Sequence, residues 1–120
     1  MLVEDNKVNR KLAIRLLEKG EAQVEVAEDG AQALAKLAVH RFDLVLMDVR
    51  MPVLGGLEAT AQIRAGSADV LQPDVPIVAL TANAFQQSID ECLAAGMNAC
   101  VAKPINKREL FEVIAREAKP

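Results

Sequence analysis

Four short apolar runs in this chain each end on an ionisable or hydroxyl residue. Leu2-Val3 leads into Glu4-Asp5, Phe42 to Met47 into Asp48, Ile77 to Leu80 into Thr81, and Ala99 to Ala102 into Lys103. Runs of this length read as strands buried on both faces, which a parallel sheet covered by helices provides. In open α/β sheets, binding and reacting groups collect beyond the carboxyl ends of the strands. The pattern therefore predicts that three carboxylates, a hydroxyl and an ammonium from distant parts of the chain converge on one sheet edge, with Asp48 at the centre.

A chain of 120 residues is long enough for one proper core and too short for two, so a single domain spanning 1–120 is expected. Hydrophobic residues make up 52% and charged residues 26%, the balance of a folded soluble chain. No apolar run approaches the roughly 20 residues of a membrane span. A net charge of -3, a pI near 5.2, and the lack of a basic run or an aromatic platform argue against direct nucleic-acid binding. Cys92 and Cys100, the only cysteines, match neither a zinc knuckle, a redox pair nor a secreted disulfide framework. Both read as small buried hydrophobes in a reducing cytoplasm. Glu4, Asp5 and Lys7 follow only three apolar residues, which is no signal-peptide pattern, and a cytoplasmic location is expected.

Strand and helix signals alternate with no linker, repeat or low-complexity stretch, predicting an α/β fold. Asn6 is placed to cap a first helix with Val8, Leu12 and Leu16 at helical spacing, stopping at Gly20. Gln23 to Ala27 alternates polar and apolar residues, as a half-exposed edge strand does. Asp29 with Gln32 forms a capping-box pattern for a second helix with Ala31, Leu34, Leu37 and Ala38 inward, ending near His40. Phe42 to Met47 is the most buried-looking strand. Met51-Pro52 and Gly55-Gly56 punctuate a loop before a third helix through Ile63, whose end is marked by Gly66. A polar, proline-bounded connection from Ser67 to Pro76 precedes the fourth strand, Ile77 to Leu80. Phe85, Ile89, Cys92 and Leu93 stripe a fourth helix closing at Gly96. The fifth strand ends at Lys103-Pro104, and Asn106 with Glu109 opens a final helix docked by Leu110, Val113 and Ile114.

An acidic pair such as Glu4-Asp5 is, by itself, more often solvated surface or capping charge than a site. Asp48 changes that reading, because an apolar strand would deliver its carboxylate beside them. Two carboxylates about 4 Å apart repel by roughly 4 kcal/mol at an effective dielectric near 20. A divalent cation offsets this repulsion, and a hard all-oxygen site that leaves room for several waters favours magnesium over calcium. Lys103 could be an ordinary exposed strand-end lysine. Beside carboxylates it would pair with them at rest and with a phosphoryl oxygen once one arrives. Thr81 could be a plain strand threonine, yet its place directly after Leu80 lets its hydroxyl donate to the same group. Together the strand ends supply a nucleophile, metal ligands, a hydrogen-bond donor and a counter-charge. Met47 and Met51 read as core and loop anchor rather than metal ligands, and His40 as a surface residue favoured by its helix dipole rather than a phosphotransfer histidine.

Glu4-Asp5-Asn6, Val45-Leu46-Met47-Asp48 followed by Met51-Pro52, Leu80-Thr81-Ala82-Asn83-Ala84, and Lys103-Pro104-Ile105 stand in an order and spacing that resembles the receiver domain of two-component response regulators, over essentially the whole chain. The runs Leu80 to Ala84, Cys92 to Met97 and Lys103 to Ile105 look most like receivers attached to hybrid sensor histidine kinases. The resemblance implies a doubly wound, flavodoxin-like parallel sheet of five strands in the order 2-1-3-4-5, with five helices on its two faces. It implies Asp48 as phosphoacceptor, with Asp5, Asp48 and the main-chain carbonyl of Arg50 as direct Mg2+ ligands and Glu4 acting through a metal-bound water. Thr81 and Lys103 would hold the phosphoryl oxygens, Thr81 moving toward the phosphate on activation. A cis Lys103-Pro104 bond is implied as well, proline having cut the trans preference to about 0.5 to 1 kcal/mol. The implied phosphodonor is a histidine kinase or a histidine phosphotransfer domain, with weak dimerisation on phosphorylation and no direct nucleic-acid or membrane contact.

Three features depart from the family pattern. Cys100 stands where a Tyr or Phe usually swings inward with the threonine, so the aromatic half of that switch cannot operate as usual. Gly55 replaces an Asp in the loop after Met51-Pro52, predicting a more flexible and less acidic loop. The first strand, Met1 to Val3, is shorter than the family's although central in the implied order, pointing to trimmed or renumbered upstream sequence.

A receiver takes a phosphoryl group from phosphohistidine onto the Asp48 carboxylate and later loses it to water, by positioning and charge neutralisation around in-line transfer. As an isolated domain it would catalyse only these reactions of its own Asp48, whereas a hybrid parent would be a membrane-bound sensor histidine kinase holding the domain in the cytoplasm. The added charge is expected to change the surface of the fourth helix, fifth strand and fifth helix. Arg50 and Asn83 are expected to flank the path of attacking water and set the phosphoryl lifetime. An aspartyl-nucleophile phosphatase would need an acid two residues after Asp48, where this chain has Arg50. A flavin domain would want a hydroxyl-rich loop after the first strand, but Asp5 to Arg10 holds no Ser or Thr. Neither a dinucleotide glycine fingerprint nor a Walker loop is present. A binding-only pseudo-receiver would have lost Asp48 or Lys103, and both are here.

Overall fold

Parallel pairing joins five strands into one sheet in the order β2-β1-β3-β4-β5. The computed structural model describes residues 1–19, 24–49, 54–66, 70–81, 86–102 and 106–117. In chain order these form β1 (Leu2–Val3), α1 (Lys7–Lys19), β2 (Val26–Ala27), α2 (Gly30–Leu37), β3 (Val45–Asp48), α3 (Gly56–Ala65), β4 (Ile77–Thr81), α4 (Gln86–Ala94), β5 (Ala99–Ala102) and α5 (Lys107–Glu117). Helices cover both faces of the sheet, the doubly wound arrangement that the resemblance implied.

Alternation along the strands sorts the core into two layers. Val3, Val45, Met47, Ile77 and Ala79 pack with Ala33, Leu37, Ala59, Ile63 and Cys92 beneath α2, α3 and α4. Leu2, Leu46, Val78, Leu80 and Val101 pack with Ala13, Leu17, Leu110 and Val113 beneath α1 and α5. β3 and β4 are buried at every residue, as unbroken apolar runs in a parallel sheet require.

β1 is short but fully paired. Leu2 and Val3 lie opposite Val26 and Ala27 on one side and Leu46 and Met47 on the other. Met1 extends the pairing, its amino group donating to Leu44 O at 2.7 Å and its carbonyl accepting from Leu46 N at 2.8 Å. β2 is an edge strand, as its alternation predicted. Lys36 from α2 covers it, Nζ donating to Glu25 Oε1 at 2.8 Å and to Val26 O.

Side-chain caps start three helices where the sequence placed them. Asn6 Oδ1 accepts from Val8 N and Asn9 N, Asp29 Oδ1 from Gln32 N, and Asn106 Oδ1 from Glu109 N. Gln32 reaches back to Glu28 N, one residue before the position a capping box uses. Gly66, with φ 72, ends α3 in the left-handed conformation.

Several expectations need correction. Val8 and Leu12 are exposed, and α1 turns Ala13 and Leu17 inward. Ala31 is exposed while Ala33 is buried, and Leu93 on α4 is 48% exposed. Each helix carries more apolar positions than one face holds, so periodicity alone left its rotation open. α2 stops at Leu37, a turn follows at Ala38 and Val39, and His40 lies just past it. β3 begins at Val45 rather than at Phe42, whose N donates to Gln72 Oε1 at 2.6 Å. Gly55 has φ -71, an ordinary value that does not use the conformational freedom of glycine. The helix stop at Gly20, the strand start at Gln23, the Met51-Pro52 anchor, part of the Ser67 to Pro76 connection, Phe85 and the Lys103-Pro104 bond lie outside the described residues.

Candidate functional site

The first two crossovers and the sheet register deliver three carboxylates to one place. β1 ends at Val3, and Glu4 N continues the ladder by donating to Ala27 O at 3.1 Å. This draws Glu4 into the sheet edge at 1% exposure while leaving Asp5 exposed. β3, the neighbour of β1, ends at Asp48, which is 5% exposed. Oxygen atoms from Glu4, Asp5 and Asp48 all lie within 4.8 Å of one another. For the two buried members, repulsion at such a separation is about 3 kcal/mol at an effective dielectric near 20. An all-oxygen acidic set open to solvent on the Asp5 side suits a hard divalent cation, and the residues present fit magnesium by the chemistry of their donors.

Hydrogen bonds between side chains and backbone hold the loop that carries the pair. Glu4 Oε1 accepts from Asn6 N at 3.2 Å, so the turn into α1 is stitched to the acidic residue itself. Arg10, one helical turn further on, sends Nη1 back to Glu4 O at 3.2 Å and Asp5 O at 3.4 Å. Reading the sequence missed this arginine. The signal available was a basic residue four positions after the Asn6 cap, which the i, i+4 geometry of a first turn brings back over the loop.

On the far side of Asp48, β4 pairs with β3 so that Asp48 lies opposite Leu80, and Val49 N donates to Leu80 O at 3.1 Å. Thr81 is the next residue of β4, buried at 6% exposure, and lies opposite Ala102, the last residue of β5. Asp48 and Thr81 thus end adjacent central strands. Lys103 follows Ala102 in the chain but lies outside the described residues, as do Arg50 and Asn83.

The N-terminus of α3 closes tightly on the same strand end. Gly56 N donates to Val49 O at 3.0 Å, and a Cβ on Gly56 would collide with Asp48 O and stand 3.0 Å from Val49 Cα. Thr60 Oγ1 donates to Gly56 O at 2.8 Å and contacts Met47 Sδ at 3.8 Å, fixing the first turn of α3 against β3.

Cys100, opposite Ala79 in β5, packs against the layer that holds Cys92 of α4. Each thiol influences the ionisation of the other. Burial, the main cause, pushes both thiol pKa values up, Cys100 to about 12. Neither residue sits among the acidic cluster.

A family model described as the response regulator receiver domain matches residues 1–115. The autoinducer 2 sensor kinase/phosphatase LuxQ of Vibrio vulnificus is 43% identical over 112 residues, which cover 93% of this chain and 13% of that protein. The receiver domain of sensor histidine kinase PA1611 from Pseudomonas aeruginosa, solved with a magnesium ion in its active-site cleft, superimposes with a TM-score of 0.86 at 43% identity, covering 97% of this chain and 93% of that one. The receiver domain of Ssk1 from Saccharomyces cerevisiae, solved with the histidine phosphotransfer protein Ypd1, gives a TM-score of 0.87 at 33% identity, covering 98% of this chain and 86% of that one. This chain spans 13% to 15% of the length of the curated relatives it matches first.

Proposed function

The chain belongs to the response regulator receiver domains of two-component phosphorelays, most like the receivers of hybrid histidine kinases, and from that premise we propose that Asp48 accepts a phosphoryl group from phosphohistidine. The observation that carries this reading is the clustering of Glu4, Asp5 and Asp48 oxygens within 4.8 Å at the ends of β1 and β3.

One oxygen of Asp48 attacks phosphorus as the bond to the histidine nitrogen breaks, leaving neutral histidine and an aspartyl phosphate. Bound Mg2+ would neutralise charge developing on the phosphoryl oxygens. Asp5, Asp48 and the main-chain carbonyl of Arg50 would hold it directly, and Glu4 through water. The Thr81 hydroxyl donates to one phosphoryl oxygen, and the Lys103 ammonium pairs with another. Hydrolysis later returns the free carboxylate. The isolated domain catalyses only this gain and loss on its own side chain.

The phosphodonor is a histidine kinase or a histidine phosphotransfer domain, a reading supported by the Ssk1 receiver solved with Ypd1. The added charge of nearly two units drives weak self-association and alters the surface of α4, β5 and α5. No helix among the described residues is long and apolar enough to cross a membrane; the likeness to receivers of sensor kinases supports a cytoplasmic domain of a larger sensor kinase.

Intact-mass measurement after incubation with magnesium and acetyl phosphate tests the assignment. Wild type is expected to gain one phosphoryl group and Asp48→Asn none. Equal gain in both proteins would overturn it.

A further inference from the structure

We propose that Arg10 is a positioning residue for the cation site, holding the Glu4-Asp5 loop by its two carbonyls. Resting on the reading of the acidic cluster as a Mg2+ site, the inference adds a residue that makes no contact with the cation.

Nη1 of Arg10 reaches both Glu4 O and Asp5 O, at 3.2 and 3.4 Å. The guanidinium lies 4.0 Å from Glu28 Oε1, and the arginine side chain is only 18% exposed. Glu28 directly follows β2, whose Ala27 carbonyl receives Glu4 N. The arginine therefore ties the turn after β1 to the turn after β2, the two strands being neighbours in the sheet.

Asp5 is the exposed member of the cluster, so its neighbours restrain its side chain little, and its backbone has to supply the order. A residue free to move in the unbound protein loses that freedom when it takes up a cation. Two charge-assisted hydrogen bonds to the flanking carbonyls remove much of that cost beforehand. The guanidinium also has an opposing effect, because its positive charge disfavours a nearby cation. With its charge engaged by two carbonyls and by Glu28 at 4.0 Å, ordering outweighs repulsion. Groups that orient metal ligands without touching the metal are typically worth about tenfold or more in affinity.

The test is calorimetric titration with Mg2+ alone, without phosphodonor, on wild type, Arg10→Ala, Arg10→Lys, Glu28→Gln and Asp5→Asn. The expected result is about tenfold weaker binding in Arg10→Ala, partial recovery in Arg10→Lys, and a smaller weakening in Glu28→Gln, which leaves the carbonyl contacts in place. The Mg2+ concentration for half-maximal phosphorylation by acetyl phosphate should rise in parallel, while the rate at saturating Mg2+ returns toward wild type. A merely structural role would instead lower the urea midpoint in Mg2+-free buffer and leave the affinity of the folded fraction unchanged. Unchanged or tighter Mg2+ binding in a folded Arg10→Ala protein, with binding lost in Asp5→Asn, would overturn the role of the arginine alone. Wild-type affinity in Asp5→Asn would overturn the cation site itself.

Discussion

Gly56 has its identity dictated by contact rather than by backbone conformation. α3 starts so close to the end of β3 that any Cβ at this position would meet the carbonyl of Asp48. Overpacking of this kind costs about 1 to 3 kcal/mol, and here the displaced atom belongs to the proposed phosphoacceptor. Gly56→Ala should lower the unfolding free energy measured in urea by an amount in that range and slow phosphorylation by acetyl phosphate. Gly66→Ala, at a position with open space around the missing Cβ, should act on stability alone through its positive φ. Cys100 gives a different prediction at this scale. Its thiol is pushed up to about 12, first by burial and then by Cys92, so it stays protonated in the fold where an unfolded thiol, with a pKa near 9, ionises. From about pH 9 upward the unfolded chain then binds fewer protons than the native one, and stability falls as pH rises. Urea midpoints measured from pH 8 to pH 11 should fall more steeply in wild type than in Cys100→Ala, with no difference in slope below pH 8.

At the scale of elements, one side chain ties the C-terminal end of α3 to several neighbours. Arg64, in the last turn of α3, donates from Nε to Gly96 O at 2.8 Å and from Nη1 to Pro73 O and Val75 O, each at 2.7 Å. Its Nη2 donates to Asn98 Oδ1 at 2.8 Å, and the same oxygen receives Ile77 N. A planar fork thus joins the end of α3, the approach to β4, and the turn between α4 and β5, at the edge of the sheet away from the acidic cluster. Burial holds the Arg64 pKa below its usual value, with Asp74 opposing that shift. Lysine cannot reproduce several donors fixed in one plane. Arg64→Lys should therefore cost about 2 kcal/mol in urea unfolding while leaving Mg2+ affinity within twofold of wild type. The contrast separates what holds the elements together from what orders the site.

Across the whole molecule, the sheet brings residues 4, 5 and 48 together only when β1 and β3 are paired, so cation binding and global folding are linked. A ligand that binds the native state and not the unfolded chain stabilises it by mass action. Thermal unfolding in 10-fold increasing steps of MgCl2 should show a midpoint that climbs with concentration and returns on chelation with EDTA. The climb should vanish in Asp5→Asn and in Asp48→Asn. Removing one carboxylate from the cluster also relieves repulsion, so these variants should unfold at or above the wild-type midpoint in Mg2+-free buffer.

Much of the fold was legible because its signals are local. Apolar runs that end on Asp48 and Thr81, and caps at Asn6, Asp29 and Asn106, are encoded within a few residues of where they act. Strand order and the roles of individual residues came from likeness to a family rather than from patterning. The rotation of α1, the burial of Ala33 rather than Ala31, the clamp of Arg64 and the hold of Arg10 on the acidic loop were decided by tertiary structure. Turning a helix by one residue, about 100°, leaves its internal hydrogen bonds unchanged and alters only what it meets on the sheet. Contacts between positions 10 and 28, 48 and 56, or 64 and 96 therefore exist only once the crossovers have settled against the strands.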